Sequence, residues 1–138
     1  MIRRREAREI AFRAVYQADV TGEAAGRCLD DILDELGPPD DVREFAASLV
    51  RTLGTHQGEV DAAIARVSRN WPLTRMAATD RSILRLATTE LFYQPDTPLR
   101  VALDEAIEIA KKYGMESSGA FVNGILDRLA HEARPTAR

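Results

Sequence analysis

The stretch VALDEAIEIAKKYGMESSGAFVNGILDRL, residues 101–129, reads as two short helices joined by a tight turn. Ala106, Ile107, Ala110 and Tyr113 recur at helical spacing, so the first helix buries one face. Gly114 is expected to close it in the left-handed conformation that a helix end favours. Ser117 or Ser118 can cap the second helix, whose apolar stripe is Phe121, Val122, Ile125, Leu126 and Leu129. Gly124 falls inside that helix, where glycine costs about 1 kcal/mol relative to alanine. Close approach of a neighbouring backbone is the expected compensation. Two helices this apolar cannot stand alone, so the rest of the chain must pack on them.

Upstream, Arg3 to Ala18 reads as an opening helix with Ala7, Ile10, Ala11, Ala14, Val15 and Ala18 inward. Arg5 and Arg8 are expected to project elsewhere, in line with Phe12 and Tyr16, although Phe12 itself is expected to be buried. A short acidic helix follows, with Cys28 or Leu29, then Ile32, Leu33 and Leu36 inside, ended by Gly37-Pro38-Pro39. Asp40 is expected to cap a third helix with the stripe Val42, Phe45, Ala46, Leu49, Val50 and Leu53. Gly54 and Gly58 flank a break or bend at His56, before a fourth helix from Glu59 to Arg69. Asn70-Trp71-Pro72 makes a turn, because the residue before proline is pushed out of helical conformation. Thr74 is expected to cap a fifth helix running to Tyr93, with Met76, Ile83, Leu84, Ala87 and Leu91 on one face. Asp80 shares that face, and pairing with Arg81 or Arg85 is its expected role ahead of helix capping or a partner contact. Pro95 and Pro98 frame the loop to the opening stretch, and the tail after Ala130 has little to bury and should fray.

The fold class that emerges is all-α, one domain over residues 1–138 with sub-bundles at roughly 1–57 and 58–134. Composition agrees: 45% of residues are apolar, only 6% are aromatic, and there are no alternating β-branched runs. No apolar run approaches the ~18 residues of a membrane span. No apolar segment follows the first arginines, so no secretory signal is expected. The one cysteine, Cys28, excludes an internal disulfide and fits a reducing cytoplasm. Net charge is −3, but residues 1–13 carry +3, from Arg3, Arg4, Arg5, Arg8 and Arg13 against Glu6 and Glu9, leaving −6 on the remaining 125. A basic end on an acidic body suits one localised contact with an anion. Arginines at a helix start also oppose the helix dipole, where a chain tuned only for stability would place acids. Guanidinium groups beside aromatic rings can hold phosphates while unpaired bases stack; a merely solvated face is the competing reading.

Catalytic signals are missing. His56, His131 and Cys28 are spaced unlike a zinc ligand set, so neither metal nor cofactor is expected. Gly54 and Gly58 lack the Lys-Ser or Lys-Thr of a phosphate loop. Ser117 and Ser118 have no histidine placed to activate them. Asp104-Glu105 and Lys111-Lys112 suit the ends of a helix, although the two lysines beside Gly114 could also hold phosphate.

Taken together, the motifs resemble the NusB family of bacterial transcription antitermination factors. Arg4-Arg5-x-Ala7-Arg8-Glu9 with Val15-Tyr16-Gln17 is similar to the family's opening helix. Trp71-x-Leu73-x-Arg75-Met76 and Asp80-Arg81-x-Ile83-Leu84-Arg85-x-Ala87-x-x-Glu90-Leu91 resemble its central signature. Residues 101–111 and Phe121-Val122-Asn123-Gly124-Ile125-Leu126-Asp127 complete it, while residues 20–58 match in pattern only. The resemblance implies about seven helices in two small bundles and no enzyme activity. It implies binding of the single-stranded boxA element of nascent ribosomal RNA together with NusE, a small-subunit ribosomal protein. It further implies loading onto RNA polymerase with other Nus factors, in the cytoplasm and away from membranes.

Matched by position, Arg4, Arg5 and Arg8 become RNA contacts, with Ser117, Ser118 and Phe121 as a second patch on the same path. Asp80 and Arg81 are candidates for the protein partner. Family members differ in oligomeric state, so a homodimer stays open. Glu6 interrupts the arginine run, and the turn Met115-Glu116-Ser117-Ser118-Gly119 lacks an acid that relatives often carry. Two other readings remain: a fragment of an RNA methyltransferase with a NusB-like N-terminal part, although no cofactor-binding α/β unit follows, and a scaffold that binds only protein.

Overall fold

A central, nearly engulfed helix organises the chain. The computed structural model describes residues 2–133, with side chains from residue 4 onward; the part of the tail expected to fray beyond residue 133 lies outside the described residues. Six α-helices run in order: α1 (Ile2–Thr21), α2 (Ala25–Leu36), α3 (Asp40–Val67), α4 (Ala78–Tyr93), α5 (Leu99–Tyr113) and α6 (Ser118–Ala133), with a 3-10 turn at Leu73–Arg75 before α4. In α4 every residue from Ser82 to Leu91 is buried except the half-buried Arg85. α1, α3, α5 and α6 pack around it, α2 rests on α1 and α3, and one connected core takes side chains from all six.

α1 buries the expected stripe, and Phe12 is only 2% exposed. α2 ends as the Gly37-Pro38-Pro39 motif implies. Gly37 takes the left-handed conformation, φ 56°, and its N–H donates to the Leu33 carbonyl at 2.9 Å. Leu36, expected inside, is largely exposed because the helix stops before its last turn can pack. Asp40 is not the cap of α3. Pro39 holds that position, and Asp40 and Asp41 form an acidic first turn that the helix dipole favours.

The expected third and fourth helices are one helix with a kink. His56 leaves helical geometry (φ −117°, ψ 19°), its ring stacks on Tyr93 at 4.1 Å, and Nδ1 meets Glu59 at 2.8 Å. Thr74 lies in the 3-10 turn and does not cap α4, which starts at Ala78 after Ala77.

Arginines tie the helices across the core. Arg85 forks onto Asp61 of α3 at 2.9 and 3.1 Å and reaches Asp19 of α1 at 3.3 Å. Arg81 donates to Asp19 at 2.6 Å and to the carbonyls of Leu73 and Met76. Asp80, expected to pair with one of these arginines, does not. Both point toward the α1 and α3 carboxylates, and the Asp80 Oδ1 is buried without a hydrogen-bond partner.

Candidate nucleic-acid interface

The first turns of α1 place three arginines in three different settings. Arg4 is exposed, with its guanidinium 4.4 Å from the centre of the Phe45 ring on α3. Arg5 is also exposed, and forks onto Glu105 of α5 at 3.0 and 2.8 Å. That ion pair raises the guanidinium pKa, through the hydrogen bonds first and the carboxylate charge second. Arg8 does not project outward as expected. It is 7% exposed and grips Glu90 of α4 with Nε at 2.9 Å and Nη2 at 2.5 Å, while Phe45 covers its guanidinium at 5.5 Å. The helix turns Arg8 onto the inward face beside Ala7 and Ala11, where only a paired charge is tolerated. The aromatic partner of the arginines is therefore Phe45, which sequence spacing had placed in the core stripe of another helix.

One turn further, Glu9 accepts hydrogen bonds from Lys112 at 2.7 Å and from the Tyr113 hydroxyl. Burial works against the Glu9 charge, but these two bonds with the Lys112 and Arg13 charges outweigh it and hold the carboxyl below its usual range. Burial, followed by the Glu9 hydrogen bond and charge, pushes Tyr113 up to about 12. Lys112 is thus engaged with an acid of α1, as Lys111 is with Glu108 at 3.8 Å.

In the turn between α5 and α6, Gly114 is extended (φ −91°, ψ −170°), not left-handed. Glycine is needed there for space: a Cβ would lie 2.6 Å from Cβ and Oγ of Ser118. Ser118 is buried, and its Oγ accepts the Met115 N–H at 2.9 Å, which closes the turn. Ser117 is exposed, and its carbonyl takes the first backbone bond of α6 from Phe121.

Phe121 is half-buried in a wide groove between α6 and the end of α3. Arg66, Arg69, Trp71, Gly124 and Arg128 also line it. Trp71 is 48% exposed, with the Arg75 guanidinium 5.9 Å from its ring. Arg66 pairs with Glu132 at 2.6 Å, and Arg128 donates to the Val67 carbonyl at 2.9 Å. Gly124 is exposed, and a Cβ there would meet nothing within 4 Å, so the expected close backbone packing does not occur. The arginines around Phe121 are these, from α3, α6 and the 69–75 segment. Sequence spacing could not gather them, because they lie up to 62 positions apart.

A second groove, between α1 and the start of α4, is lined by Arg13, Tyr16, Gln17, Val20, Thr79 and Tyr113. Tyr16 and Val20 are exposed on it, and Asp80 follows Thr79 directly. Among the described residues no group of three or more His, Cys, Asp or Glu side chains is arranged to hold a metal. No helix among them is long and apolar enough to cross a membrane.

Helices that expose basic and aromatic faces define a small all-α protein built for surface contacts. The NusB family model matches residues 5–131. A transcription antitermination protein NusB of Anaeromyxobacter dehalogenans is 47% identical over 137 residues, covering 99% of this chain and 96% of its own. The solved NusB of T. maritima is 42% identical with TM-score 0.91, covering 97% of this chain and 95% of its own. A solved complex of the antitermination factors NusB and NusE with double-stranded RNA contains a chain 29% identical to this one, TM-score 0.88. It covers 96% of this chain and 98% of its own. The chain belongs to the NusB family of transcription antitermination factors.

Proposed function

We propose that this chain binds boxA-type single-stranded RNA of nascent ribosomal transcripts together with NusE, without catalysis, in the cytoplasm, as one part of an antitermination complex with other Nus factors on RNA polymerase. The observation that supports this most directly is the exposed Arg4 and Arg5 pair on an otherwise acidic body, in a family with a member solved in complex with NusE and RNA. Arg4 and Arg5 take phosphates, and Ser117 and Phe121 add a polar and an aromatic contact. Arg8 and Ser118, being buried, act as positioning residues: Arg8 fixes the first turns of α1 on α4, and Ser118 fixes the turn before α6. Half-exposed aromatic rings favour unpaired bases over a duplex, whose bases are already stacked.

NusE is assigned to the groove at the start of α4. The exposed Tyr16 and Val20 line it together with Thr79, and the next residue, Asp80, keeps a buried oxygen unsatisfied within this chain. Arg81, engaged with Asp19 and two carbonyls, is a positioning residue that fixes the start of α4 on α1.

The test is a fluorescence-anisotropy titration with boxA-like single-stranded RNA, its double-stranded form and a scrambled strand, with and without NusE. Tighter binding of the single strand is expected, strengthened by NusE in the parent but not in Asp80→Lys, whose binding without NusE stays like the parent's. Equal affinity for all three RNAs would overturn the boxA reading. Methyl transfer from a methyl-donor cofactor to RNA would overturn the non-catalytic one.

A further inference from the structure

Gly124 has no explanation inside the chain. Glycine in mid-helix costs about 1 kcal/mol relative to alanine, yet an alanine Cβ would fit here without touching anything. The neighbours of Gly124 point outward for the answer. Phe121 one turn before it and Arg128 one turn after it stand on the same stripe of α6, and Trp71 and Arg69 face them across the groove. Among the described residues lining this groove none is acidic. An exposed tryptophan, a half-buried phenylalanine, a floor lacking a side chain and a rim of arginines together fit a flat, anionic ligand that must approach the helix backbone closely.

We infer that the Trp71–Gly124 groove is a base-stacking site for single-stranded RNA, extending the path beyond the α1 arginines. A base lies over Gly124 between Phe121 and Trp71, and the flanking phosphates meet Arg69 and Arg128. Arg75, held over the Trp71 ring, adds charge on the far side. Charge decides for RNA over a protein segment: arginines rim the groove while the body elsewhere is acidic, and an acidic peptide would leave the two aromatic faces without a matching surface. The inference rests on the RNA-binding reading above.

Trp71 is the only tryptophan in the sequence, so its emission reports on this groove alone. The experiment titrates the full chain, with NusE, with boxA-like single-stranded RNA, following anisotropy of the labelled RNA and Trp71 emission together. Expected are quenching of Trp71 along the same isotherm as the anisotropy, and roughly 5- to 150-fold weaker binding for Trp71→Ala and for Gly124→Leu. Leucine fills the floor from an open position and is a better helix former, so folding should survive; circular dichroism checks it, and Trp71→Ala serves if it does not. RNA that binds by anisotropy with Trp71 emission unchanged, and with both variants like the parent, overturns the groove and leaves the function standing. No RNA binding by either readout overturns both. Quenching by NusE alone, abolished by Gly124→Leu and unaffected by RNA, would assign the groove to protein and overturn the inference.

Discussion

Arg8 and Arg5 lie one helical turn apart and differ in almost everything that matters for a charge. Arg5 pairs with Glu105 from a position open to water, where solvent and salt screen the attraction. Arg8 pairs with Glu90 out of water, where breaking a buried ion pair is costly. Arg8→Ala is therefore expected to cost roughly 3–5 kcal/mol in urea unfolding, while Arg4→Ala and Arg5→Ala should leave the midpoint nearly unchanged, because solvent screens both charges. A stable, fully folded Arg8→Ala chain would mean that the Arg8–Glu90 pair is not what anchors α1 on α4. Tyr113 gives a second check. Its folded pKa, about 12, stands above the ordinary phenol value near 10. Its contribution is complete below that ordinary value and is lost as pH rises through the folded one. Glu9 behaves oppositely: its depressed pKa contributes stability above the ordinary carboxylate value, lost as pH falls through the folded value. Tyr93 is also raised, by burial and then by the Glu59 charge, so ultraviolet titration of a Tyr93→Phe background should show a late phenolate step that is missing once Tyr113→Phe is added. A doubly substituted chain that keeps the late step would exclude Tyr113 as its source.

Helices and their ends show what local pattern can and cannot tell. The stripes of α1, α3 and α6 were legible because apolar residues repeat with the helical period and each packs on one side. The engulfed α4 was not recognised as central. Ser82, Thr88, Thr89 and Glu90 make it read as a one-sided helix, yet all four are buried. Thr89 is satisfied by its own helix, its hydroxyl donating to the Arg85 carbonyl, and Glu90 by Arg8 of α1, while the Ser82 and Thr88 hydroxyls are buried without a hydrogen-bond partner. The site was legible in part for the same reason. Arg4 and Arg5 stand in one run, but Phe45 and the arginines opposite Phe121 come from distant segments. Glycines illustrate the limit best, since sequence marks that they are special but not why. Gly114→Ala should cost roughly 1–3 kcal/mol, because Ser118 and the Ala110 carbonyl already occupy the space. Gly124→Ala should instead stabilise by up to about 1 kcal/mol. Thermal denaturation of the pair decides it: shifts of the same sign would contradict the space found around one of them.

Charge acts over the entire chain, and it sets how RNA binding must respond to salt. An acidic body repels RNA at long range, so affinity has to come from close phosphate contacts, each releasing counterions from the strand. For single strands each neutralised phosphate contributes about −0.7 to the slope of log affinity against log salt. Among the described arginines of the α1 run, only Arg4 and Arg5 are exposed enough to be removed without disturbing the core. Including Arg8 in the substitution would confuse lost contacts with lost fold. The double variant Arg4→Ala with Arg5→Ala is thus expected to flatten the slope by about 1.4, two phosphates' worth, with the helix kept because alanine is a strong helix former. Glu105 sharpens the argument, since it holds the Arg5 fork that a phosphate would need. Glu105→Gln should bind RNA more tightly than the parent at low salt, as the competing carboxylate charge is gone. Its slope should stay near the parent's, because the number of phosphates contacted is the same. Measured side by side, the two variants separate contact from competition. A flattened slope in Glu105→Gln, or an unchanged one in the double arginine variant, would place the phosphate contacts elsewhere on the chain.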